Sequence, residues 1–135
     1  MRNLSVARVR AAWWTLRVCR AANGLTAKGD LAGLTLRQPP ELADRERSTV
    51  LAILARRQSS CLVRSLVLQA WDAAHGRPRD LIIGVTAPSE EFRAHAWLEG
   101  DRVDRSLYSE LTRRGPTSAT ASGHNGGGRR GSGLP

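Results

Sequence analysis

The amino-acid sequence predicts an α+β domain in which helices from the first half of the chain pack on a small antiparallel sheet from the second. Two observations lead there. Apolar residues recur with a helical period up to residue 76 and with a strand period of two from residue 80 onward. Glycine or proline also stands at the breaks, at Gly24, at Pro39-Pro40 and at Gly76. A chain of 135 residues is long enough for one small domain and too short for two.

The first helix follows from Val9, Ala12, Trp13, Leu16 and Cys19, which share one face, with a stop at Asn23-Gly24. Residues 25–40, "LTAKGDLAGLTLRQPP", read as a loop wrapping over the domain. A second helix begins after Pro39-Pro40, with acidic residues early and Arg56 and Arg57 late, the polarity that the helix dipole favours. The third starts just after Ser59 or Ser60, either of which can cap it, and stops at Gly76. Its stripe of Leu62, Val63, Leu66, Val67, Ala70 and Trp71 is wide enough for a helix buried on more than one side. Residues 80–87, "DLIIGVTA", and residues 93–100, "RAHAWLEG", read as two antiparallel strands, and Gly100-Asp101 turns the chain into a third from Val103 to Tyr108. The domain is placed at 1–112, with the N-terminal helix and loop at 1–40 and the core at 41–112. Residues 113–135, rich in glycine, serine and arginine, read as a disordered tail.

Composition narrows the function. The formal net charge of +9 rests almost wholly on arginine, Lys28 being the only lysine, and it favours an acidic partner. Cys19 and Cys61 belong to no Cys/His cluster, so neither zinc nor a disulfide framework is expected, and no motif calls for a cofactor. Arginines interrupt the N-terminal apolar run, and nothing approaches the length of a spanning helix. The expectation is a cytoplasmic chain with reduced thiols.

One constellation carries chemistry. Cys61 opens the third helix, where the dipole and the unpaired amides favour a thiolate and supply donors for an oxyanion. His95 follows on a strand. If Glu99 and Arg102 pair across a tight turn, Trp97 faces Asp104 and His95 faces Ser106, which puts Asp104 on the sheet face of His95. Asp104 is then the third member of a Cys-His-Asp unit, with Asp101 in reserve because another turn length reverses the parity. Each residue also has a plainer reading. A cysteine is commonly a small buried hydrophobe, as Cys19 is read here, and His75 at a helix end serves as a favourable charge. His124 lies in the tail. Arg64 reads as a solvated side chain near the start of the third helix.

The run "CLVRSLVLQ", then "LIIGV", then "AHAWLE" resembles the transglutaminase-like cysteine peptidases of lasso peptide biosynthesis, in the stand-alone leader peptidase form of the B protein. The likeness covers roughly residues 48–104. It implies a transglutaminase-like, papain-like fold, with Cys61 as nucleophile and His95 as general base. The family's acidic third member commonly stands a dozen residues beyond the histidine. Here that position is Leu107, and Asp104 fits if the intervening turn is about three residues shorter.

The resemblance further implies removal of the leader from a ribosomally made precursor peptide. The partners would be a separate leader-binding protein and an ATP-dependent macrolactam cyclase, with no nucleic acid and no membrane span. Two rivals stand beside it. One is a basic nucleic-acid-binding or scaffold module, which the scattered arginines and the lack of a groove-reading motif argue against. The other is amide transfer to an amine by the same three residues.

Overall fold

The change of period near residue 80 is a change from helix to sheet in the computed structural model, which describes residues 5–27, 29, 35–86, 93–103 and 108–116. Helix α1 is Val6–Ala27, a short 3-10 turn spans Asp44–Glu46, α2 is Arg47–Arg56 and α3 is Cys61–Ala74. Strands β1 (Leu81–Thr86), β2 (Ala94–Leu98) and β3 (Tyr108–Arg114) follow. The architecture is α+β.

Helix α3 is the centre of the packing. Trp71 is fully buried and meets Trp14 of α1 at 5.8 Å between ring centroids. Val63, Leu66 and Val67 share a core with Val18 of α1, Val50 and Leu54 of α2, and Leu81, Ala96 and Leu98 of the sheet. Each large apolar side chain so buried contributes about 1.5–3 kcal/mol. Because α3 is enclosed on several sides, its polar residues Ser65, Gln69 and Asp72 are buried too, and each is satisfied. Gln69 donates to the carbonyls of Arg79 and Arg114, at 2.9 and 3.0 Å. Asp72 accepts from Arg47, Arg77 and Arg79. Ser65 donates to the carbonyl of Ala96 at 3.3 Å.

Helix α1 departs from expectation twice. It runs through Asn23-Gly24 to Ala27, because Ala22 is buried in the core and Thr26 donates to the Ala22 carbonyl at 2.8 Å, offsetting the roughly 1 kcal/mol that an internal glycine costs. The buried stripe is also rotated. It consists of Ala11, Trp14, Thr15, Val18, Cys19 and Ala22, while Val9 and Trp13 are exposed and Ala12 and Leu16 half-buried. Thr15 counts as core because its hydroxyl is satisfied within the helix, donating to the Ala11 carbonyl at 2.7 Å. Trp13 and Trp14 part company, as adjacent helical residues must.

The sheet order is β2-β1-β3, all antiparallel. β3 pairs with the far edge of β1, and Trp97 and His95 stand opposite Ile82 and Gly84. The expected partners of Trp97 and His95 across Gly100-Asp101, Asp104 and Ser106, lie outside the described residues. Asp101 folds back, its amide donating to the Leu98 carbonyl at 3.0 Å and its carboxylate accepting from the Leu98 amide at 3.1 Å, so the polar groups at the end of β2 are occupied. The third strand also begins where it was expected to end, at Tyr108, and takes in Arg113 and Arg114, which the sequence placed in the tail. Arg113 links it to the rest of the sheet through ion pairs with Asp80 at 3.3 Å and Glu99 at 3.5 Å. Residues 117–135 lie outside the described residues.

Candidate active site

The start of α3 is set by Ser60, whose backbone is extended and whose hydroxyl accepts from the Val63 amide at 3.2 Å. Of the two serines allowed by the sequence, Ser60 is the cap. Cys61 is therefore the first helical residue and is half-buried. The amides of Cys61 and Leu62 have no acceptor within the helix, and none is recorded for them among the described residues. They are two aligned donors beside the sulfur.

His95 lies on β2, an edge strand among the described residues. It shares its sheet face with Trp97 and, across β1, with Tyr108, and the three rings lie within 5.9 Å of one another. The opposite face, with Leu81, Ile83, Ala96 and Leu98, packs on α3. Cys61 and His95 nonetheless border one cavity of about 530 Å³, because β2 has no neighbouring strand on that side among the described residues. Arg47, Arg64, Trp97 and Arg102 complete much of its wall. Neither the thiol nor the imidazole makes a hydrogen bond among the described residues.

Two features of this wall were not foreseen from sequence. The indole N–H of Trp97 is buried with no hydrogen-bond partner among the described residues. Arg47 is not a free cation. It is held by Asp72 at 2.9 Å, and Asp72 also binds Arg77 at 2.9 Å and Arg79. Burial pushes the Asp72 carboxyl up, but the hydrogen bonds from Arg47, Arg77 and Arg79 outweigh it and leave the group below its ordinary range. Arg79 extends the network to Asp101 at 3.0 Å. The helix bearing Cys61, the turn after β2 and the cavity wall are thus tied by one set of charges.

The reserve residue Asp101 lines the cavity with both carboxylate oxygens engaged, one by Arg79 and the other by the Leu98 amide. Asp104 lies outside the described residues. Arg64 is exposed, as expected, yet it stands on the rim with Arg102, and neither is ion-paired among the described residues. Cys19 is core: burial pushes its thiol up, against smaller opposing effects of Ser59 and Arg57. His75 ends α3, with its ring nitrogens 2.7 Å from the Trp71 carbonyl and 2.9 Å from that of Leu42. Its place is structural and remote from the cavity lining.

A profile described as the transglutaminase-like superfamily matches residues 4–114. The chain belongs to the transglutaminase-like superfamily. No curated protein and no solved structure matches it significantly. Members of the transglutaminase-like superfamily are often cysteine peptidases or transferases, both of which pass an acyl group through a cysteine thioester. A transglutaminase-like domain whose cavity is shared by a helix-start cysteine and a strand histidine has the parts for that chemistry. No helix among the described residues is long and apolar enough to cross a membrane.

Proposed function

We propose that this transglutaminase-like domain is a cysteine peptidase that removes the leader from a ribosomally synthesised lasso precursor peptide. The observation that supports the reading most is the cavity that Cys61 and His95 share at the N-terminus of α3. Cys61 passes its proton to His95, and the thiolate attacks the scissile carbonyl. The oxyanion is received by the amides of Cys61 and Leu62. His95 gives the proton to the departing amine, leaving a thioester on Cys61. Water, deprotonated by His95, then releases the leader carboxylate and restores the thiol. Asp104 is assigned to orient the imidazole.

The partners in this proposal are the leader, a separate leader-binding protein and the macrolactam cyclase, all in the cytoplasm. The test is mass spectrometry of a lasso precursor incubated with the protein and its leader-binding partner. Wild type releases leader and core, while Cys61→Ala loses cleavage by about 10⁴- to 10⁶-fold with an unchanged melting temperature. Undiminished cleavage by the variant refutes the mechanism. The superfamily's transferases favour one second reading, in which an amine takes the acyl group in place of water. The same experiment separates them, because transfer yields a leader amide and hydrolysis a free carboxylate.

A further inference from the structure

Among the described residues, three of the four exposed large hydrophobic side chains lie on one stripe of α1. Val6, Val9 and Trp13 are 76%, 51% and 64% exposed, at spacings of three and four residues. Beside this stripe, between α1 and the segment that leads to Pro40, is a groove of about 350 Å³ lined by Val9, Trp13, Arg10, Arg17, Arg37 and Pro40. Buried Trp14 forms part of its floor, and its indole N–H donates to the Arg37 carbonyl at 2.9 Å, tying the far wall to the helix.

Its charge has one sign. No acidic residue precedes Asp30 in the sequence, and among the described residues Arg10, Arg17 and Arg37 form no ion pair. The cationic side chains that do form ion pairs among the described residues, from Arg45 to Arg113, lie elsewhere. An exposed tryptophan ringed by unpaired arginines has the composition of a binding hot spot.

We propose that this groove docks an acidic protein segment that seats a bulky apolar side chain beside Trp13 and Val9, its carboxylates meeting Arg10, Arg17 and Arg37. The chain's own residues 117–135 carry Arg129 and Arg130 and no acid, so they have the wrong charge to fill it. A second copy presents the same positive face. A bilayer is flat and leaves the concavity empty, and nucleic acid satisfies the arginines without filling an apolar slot. The proposal does not depend on the reaction assigned to Cys61.

The test uses the full-length protein and a fluorescein-labelled amphipathic helical peptide with leucine along one face and glutamate elsewhere, followed by anisotropy. Two control peptides replace every glutamate by lysine or every leucine by serine. The glutamate-leucine peptide is expected to bind, and both controls at least about tenfold more weakly. Trp13→Ala, and separately the pair Arg10→Gln with Arg17→Gln, are expected to weaken it by about tenfold or more with unchanged circular dichroism. All three residues are exposed and outside the core, so these variants leave folding intact. No binding, equal binding to Trp13→Ala, or equal affinity for the lysine peptide overturns the proposal. So does stronger binding to phosphatidylglycerol vesicles or to duplex DNA, which would assign the face to lipid or to nucleic acid.

Discussion

Ser65, one turn into α3 from Cys61, donates its hydroxyl to the carbonyl of Ala96, the residue after His95 on β2. That single bond at 3.3 Å joins the helix carrying the sulfur to the strand carrying the imidazole. Ser65→Ala is expected to lower stability by about 1 kcal/mol. It should also reduce kcat more than it raises KM, since the spacing of thiol and imidazole changes while the rim does not. A loss confined to KM speaks against this coupling.

The two candidate third members differ in what they already do. Asp101 is engaged by Arg79 and by the Leu98 amide, so Asp101→Ala should cost about 1 kcal/mol of stability by freeing the end of β2. Asp104→Ala is expected instead to lower kcat with little change in melting temperature. The opposite pattern, with Asp101 controlling kcat alone, would transfer the role to the reserve residue.

Asp72 makes stability depend on acid. Its folded-state pKa is depressed, so the stability it contributes is fully present above the unfolded carboxylate value, about pH 4. It is lost as pH falls through the lower folded value. Asp44, lowered first of all by Arg77, acts in the same direction. Denaturant melts from pH 7 down to pH 2 should therefore show a fall beginning near pH 4. Asp72→Ala leaves Arg47, Arg77 and Arg79 without their shared anion and should cost about 3–5 kcal/mol at pH 7 while flattening that fall.

Gly84 is the point where the sheet and the aromatic cluster meet. A Cβ there would lie 2.7 Å from the Trp97 ring and 3.1 Å from Cβ of Tyr108. Gly84→Ala should destabilise by about 1–3 kcal/mol through overpacking. Adding Trp97→Phe should recover part of the loss, and strict additivity in that double-mutant cycle would show that the two sites do not touch.

The limits of α3, a serine cap at 59 or 60, the stop at Gly76 and the strands around Ile82 and Ala96 were legible in the sequence. Each depends on residues within a turn or two along the chain, where capping, φ preference and period act directly. The placing of Cys61 at a helix start belongs to the same class. What local rules do not encode is the partner. Thr15 joins the core and Trp13 leaves it because α2 and α3 meet a different side of α1. Polar β3 pairs with β1 through its backbone ladder, with Arg113 reaching Asp80 at its end, although its own pattern does not alternate. The cavity common to Cys61 and His95 likewise exists only because Ser65 and Ala96, thirty-one residues apart, lie against each other. Periodicity states that a face is apolar; contact between distant segments decides which face is buried, which strand is central and which side chains share a space.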